Sequence, residues 1–151
     1  MRHFSTFLTL LLVVGCHTRA RPDAAGSAAP VGRTAPDAPL SETRWVLRQL
    51  NSKPVSVPAD TREAYLTLRA NGAAEGNGGC NRFRGNYFSE TPNALTFSPL
   101  MSTRMACPAM ETENGFTQAL GQARTYRISG DTLWVLGAGA APLARLEAVY
   151  L

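Results

Sequence analysis

The chain runs to 151 residues, 44% of them hydrophobic and 17% charged, with a formal net charge of +4. That length holds one ordinary domain, and so small a charge excess lacks the concentrated basic face that nucleic acid requires. Both histidines, His3 and His17, sit near the N-terminus, so a Ser–His–Asp or Cys–His nucleophile system has no base elsewhere.

The first fifteen residues read as an export leader. Arg2 and His3 form a short basic start, Phe4 to Val14 an apolar run, and Gly15 precedes Cys16. The run is too short to span a bilayer, which takes about 20 apolar residues. Val13-Val14-Gly15-Cys16 resembles the bacterial lipobox, in which a peptidase cuts before a lipid-modified cysteine. The resemblance implies that residues 1–15 are a lipoprotein signal peptide and that Cys16 is acylated. It also implies a membrane as partner through the N-terminal acyl chains, since more than one chain makes a stable anchor. His17 follows Cys16 where an aspartate would resemble an inner-membrane retention signal, so the expected address is the periplasmic face of the outer membrane.

Residues 16–40 read as a tether. Alanine, proline and glycine dominate, and no helical or strand period repeats, so the stretch cannot bury enough apolar surface to order itself. The 23 residues from His17 to Pro39 would span roughly 25–30 Å as a flexible coil. Residues 41–151 form the expected domain. Four of the 15 bases and two of the 11 acids precede it, leaving a net charge of about +2.

Within the domain, Arg44 to Leu50 alternates as a first strand, and Lys53 to Asp60 reads as a loop with two prolines. Ala64 to Ala70 leads into Asn71-Gly72, a strong hairpin signal, and Ala73 to Asn77 should pair back. Arg82 to Phe88 alternates again, and Ala94 to Phe97 gives a short strand between Pro92 and Pro99. Pro108 can start a helix, with Glu111 and Glu113 suiting the positive end of its dipole. Phe116, Ala119, Leu120 and Ala123 recur at helical spacing and mark its packing face. Thr125–Ser129, Thr132–Leu136 and Leu143–Tyr150 complete the chain, turning at Gly130-Asp131 and between Gly137 and Pro142. The pattern predicts a mainly β, β-rich α+β fold. Its form would be a small curved antiparallel sheet or cracked β-barrel with one packed helix.

Cys80 and Cys107 are the two cysteines of the domain. In an exported chain a structural disulfide between them is the first reading, ahead of two separate buried thiols. Redox chemistry comes last, because there is no Cys-x-x-Cys and no nearby histidine to lower a thiol pKa. No metal, cofactor or catalytic residue is expected. With the histidines outside the domain, zinc would depend on thiolates and carboxylates, and Gly76-Asn77-Gly78-Gly79 lacks the lysine and helix of a phosphate loop.

The phrases around the cysteines carry a resemblance. Gly79-Cys80-Asn81-Arg82-Phe83, Gly85-Asn86-Tyr87 and Ser102-Thr103-Arg104-Met105-Ala106-Cys107 resemble the META domain, also called HslJ-like. Trp45-Val46-Leu47, Phe116, Leu120, Tyr126 and Leu133 fall where that family has its tryptophan strand, helix and final strands. The resemblance implies a cracked barrel with a helix, found in bacterial envelope lipoproteins and heat-shock-associated proteins. It brings no catalytic residues with it.

Asn81, Arg82 and Arg104 are the candidate binding residues, with two readings each. Asn81 can turn the backbone while the arginines pair with Glu75, Glu111 or Glu113. Alternatively, the arginine forks form a small anion or peptide site. The leading function is a non-enzymatic, membrane-anchored lipoprotein that binds an envelope protein partner or ligand and supports stress tolerance. One alternative is a small periplasmic hydrolase using two of Glu63, Glu75, Glu111 and Glu113. Another is a barrel that encloses a hydrophobic ligand instead of filling itself with Trp45, Leu66, Phe83 and Leu133.

Overall fold

The computed structural model describes residues 36–150. The leader, the proposed acylation site Cys16 and most of the tether lie outside the described residues, as does Leu151.

Strand β1 (Arg44–Leu50) sends Trp45 and Leu47 into the core, as its alternation predicts. The segment expected to be all loop instead begins with a two-residue strand, β2 (Lys53–Pro54), folded back on β1. Asn51 and Ser52 make that reversal possible, both at positive φ as a tight hairpin needs. β3 (Tyr65–Leu68) and β4 (Ala73–Asn77) form the anticipated hairpin through Asn71-Gly72, with Gly72 at φ 85°. β5 (Arg82–Phe88) follows. The stretch after it yields two short strands, β6 (Thr96–Phe97) and β7 (Met101–Ser102), both laid against β5. Ala94, expected to open a strand, makes only an isolated bridge.

Helix α1 spans Met110–Gly121. It begins two residues later than Pro108 predicts, because Cys107 to Ala109 form a turn: the Met110 N–H donates to the Cys107 carbonyl at 3.2 Å. Glu113, Phe116, Ala119 and Leu120 form its buried stripe. β8 (Thr125–Ser129) and β9 (Thr132–Leu136) form a hairpin, and β10 (Pro142–Val149) returns after a short 3-10 turn at Ala138–Ala140.

All ten strands join one antiparallel sheet, whose main path runs β6-β5-β4-β3-β1-β10-β9-β8. The sheet is open but curls until its ends touch. Ala94, beside β6, bridges Thr125 in β8, and flanking backbone bonds link Leu95 to Arg124 and Asn93 to Tyr126. One seam thus joins the two margins of a cracked barrel. The core lies between the inner face and α1. Trp45, Leu66, Phe116, Leu133 and Leu146 are inaccessible to solvent there, and Phe83 meets Phe116 edge to face at 5.8 Å. Each such side chain contributes about 1.5–3 kcal/mol by leaving water.

Packing begins before Ser41. Ala38 is buried, its N–H donates to the Gly130 carbonyl at 3.0 Å, and Asp37 Oδ1 accepts from the Gly130 N–H at 2.7 Å. The Trp45 indole then donates to the Leu40 carbonyl at 3.0 Å. Residues 37–40, read above as the end of the tether, therefore strap onto the β8–β9 turn and β1.

Candidate functional site

The two cysteine phrases meet at one end of the sheet. Cys80 follows β4, Cys107 precedes α1, and the two are joined by a disulfide with Cα atoms 5.8 Å apart. Between them lies a buried polar clamp. Asn81 is only 2% exposed and Glu113 5%. The Asn81 amide nitrogen donates to Glu113 Oε1 at 2.8 Å and to the Met105 carbonyl at 2.9 Å. Its amide oxygen accepts from the Thr103 hydroxyl at 2.9 Å and the Met105 N–H at 2.8 Å. Glu113 Oε2 receives the backbone N–H of Asn81 at 2.6 Å and that of Cys80 at 3.3 Å.

The glycines before Cys80 make room for this clamp. A Cβ on Gly78 would stand 2.5 Å from Glu113 Cγ, and Gly79 has a φ of 115° that side chains rarely adopt. The helix can thus bring its carboxylate against the strand end only because that stretch is bare backbone.

A second feature lies on the outer face of the sheet. Register aligns Arg44, Thr67, Glu75, Arg84 and Met101 in one cross-strand row over β1, β3, β4, β5 and β7. Arg82 stands two residues from Arg84 on the same face of β5. These side chains line an open groove of about 720 Å³. Its lining carries Arg44, Arg69, Arg82 and Arg84 against Glu42 and Glu75, so it holds a net +2.

The charges in the groove are unevenly paired. Arg69 sits between Glu42 at 3.0 Å and Glu75 at 2.6 Å, which hold its guanidinium above its ordinary pKa, Glu75 the more strongly. The Ala70 N–H, with Arg69 second, holds the Glu42 carboxyl below the usual carboxylate value. Arg44 lies 3.6 Å over the Tyr65 ring. Arg44, Arg82 and Arg84 make no ion pair among the described residues. Met101 beside them is 71% exposed, and Met105 in the following segment 64%.

The structure separates the residues that the sequence grouped. Asn81 is interior, and its side chain is spent on the chain itself. Arg82 faces the groove, whereas Arg104 is exposed on the segment before Cys107 and does not line it. The expected pairing of Arg82 and Arg104 with Glu75, Glu111 or Glu113 does not form among the described residues; Glu75 binds Arg69 and Glu113 binds Asn81. Arg44, Tyr65, Arg84 and Met101 are additions to the candidate set. Alternation along β5 carried the signal for Arg84, because it puts Arg82 and Arg84 on one side.

Among solved structures, a protein studied by NMR is similar to this chain at 25% identity with a TM-score of 0.56, covering 72% of this chain and 91% of its own. A DUF4847 family protein from Bacteroides vulgatus, solved by crystallography, is 17% identical with a TM-score of 0.46, covering 56% and 57% of the two chains. No curated protein matches. The META domain family model matches residues 38–150, from the buried Ala38 to Tyr150, and so takes in both cysteine phrases, the tryptophan strand and the helix. This chain belongs to the META domain family.

Proposed function

We propose that this protein is a non-catalytic envelope lipoprotein. Acylated Cys16 and the tether that ends before the packed residues 37–40 hold the META domain at the periplasmic face of the outer membrane, where it binds a protein partner and supports stress tolerance. The single observation that carries the binding role is the arginine groove, a recessed face where Arg44, Arg82 and Arg84 pair with no carboxylate among the described residues. Arg82 and Arg84 form no ion pair that repays their placement side by side, whereas an anionic partner would.

Other arrangements support the same reading. Glu63 is committed to Arg48 at 2.9 Å, Glu75 to Arg69, and Glu113 to the clamp, so three of the four candidate acids already have partners. Trp45, Leu66, Phe83 and Leu133 all belong to one buried cluster, the filled-interior arrangement.

The test is mass and location together. Intact-mass measurement of the native protein should find a chain that starts at Cys16 with fatty acid attached, and replacing residues 1–16 with an ordinary cleavable export leader should move it from the membrane to the soluble fraction. A native chain without lipid, or a leader-exchanged chain that stays membrane-bound, overturns the lipoprotein reading.

A further inference from the structure

We propose that the groove over β3, β4 and β5 docks an extended acidic segment of a protein partner, with carboxylates at alternate positions seated on Arg82 and Arg84. This deepens the reading of the domain as a partner-binding module and rests on it.

Spacing is the first argument. Arg82 and Arg84 project from one face of a strand, which sets their attachment points about 6.5–7 Å apart. An extended peptide presents its i and i+2 side chains at the same interval, so two carboxylates can meet two guanidinium forks without distortion. Arg69 shows what a groove arginine does when acids are available: it takes two carboxylates, at 2.6 and 3.0 Å. Arg82 and Arg84 have the same chemistry but pair with no carboxylate among the described residues, since Glu75, opposite Arg84, is taken by Arg69.

Preorganisation is the second. Arg44 is already laid on Tyr65 at 3.6 Å, so ordering its guanidinium costs little on binding. Composition is the third. Four arginines, Tyr65 and the exposed Met101 are among the residues lining the groove, which include no lysine, and these residue types are enriched where proteins meet. A flat anionic bilayer fits less well, because the site is recessed.

The experiment pans a phage-displayed library of random dodecapeptides on the full-length chain in a neutral detergent. Selected peptides should carry Asp or Glu at positions i and i+2. Fluorescence anisotropy on the best of them should weaken roughly tenfold or more in the Arg82→Gln/Arg84→Gln double variant, as loss of charge-assisted bonds predicts. Arg127→Gln, which removes a charge from β8, should change it less than about twofold. Melting curves check folding, and Arg84→Gln alone replaces the double variant if that one does not fold. Selection of peptides without acidic pairs, or equal loss in the Arg127 variant, overturns the proposal. So does binding to phosphatidylglycerol vesicles that depends on Arg82 and Arg84 while the peptides do not bind. A chain found acylated and membrane-bound that selects no acidic peptide loses the groove assignment alone and keeps the lipoprotein reading.

Discussion

The Asn81 side chain makes four hydrogen bonds, all to the chain itself, which is the full capacity of an amide. Replacing it with alanine strands Glu113 Oε1 in a buried site and leaves the Met105 N–H without its acceptor in a half-buried one. Each unsatisfied buried group costs about 1–3 kcal/mol, so Asn81→Ala should lower stability by about 2–4 kcal/mol in urea unfolding of the oxidised protein. A loss below about 1 kcal/mol would mean that water or rearrangement replaces the clamp. Arg82, the next residue, faces outward, and its substitution should leave that midpoint in place. The sequence drew attention to both residues as one cluster. Strand alternation was visible and could separate them, but the burial of Asn81 depends on Met105 and Glu113, which are 24 and 32 residues away.

At the scale of elements, the disulfide closes the segment that carries β5, β6 and β7, with its ends 27 residues apart. The chain-entropy relation gives about 3.5 kcal/mol for a loop of that length, so Cys80→Ala/Cys107→Ala should lose that much against wild type. A loss under about 1 kcal/mol would show that the Asn81 clamp alone confines the segment. Strands with their own alternation, β1, β4, β5, β8 and β9, were legible to the residue. β2 and β7 were not, because two residues carry no period and become strands only through a neighbour's edge. The start of α1 moved because Cys107 to Ala109 close a turn, a local backbone bond that proline position alone does not reveal.

Over the whole molecule, ion pairs cross between segments that are distant in sequence. Arg48 in β1 joins Glu63 at 2.9 Å and Glu147 in β10 at 3.0 Å, and Arg145 also pairs with Glu147. Arg145 first, and Arg48 after it, hold the Glu147 carboxyl below its ordinary value of 4.5, as the Ala70 N–H and Arg69 do for Glu42. A carboxyl whose folded pKa is depressed stabilises the fold fully above its unfolded value, and the benefit fades as pH falls through the folded one. Stability should therefore hold from pH 7 to about 5 and decline below 4.5, with a shallower decline in Glu42→Gln/Glu147→Gln. Urea midpoints at pH 6 and 3.5 check this; equal slopes in variant and wild type would count against it. Fold class was readable from strand spacing and a single helical stripe. The seam at Ala94 and Thr125 was not, since one backbone bridge leaves no trace in composition.

Linking Cys80 to Cys107 has a consequence of parity. It removes two of the three thiols from circulation and leaves an odd one at position 16. In surroundings oxidising enough to make the staple, a bare sulfhydryl there would couple one copy to another. A thioether on that atom would render the chain inert to further exchange, so lipid attachment would serve as chemical protection as well as an address.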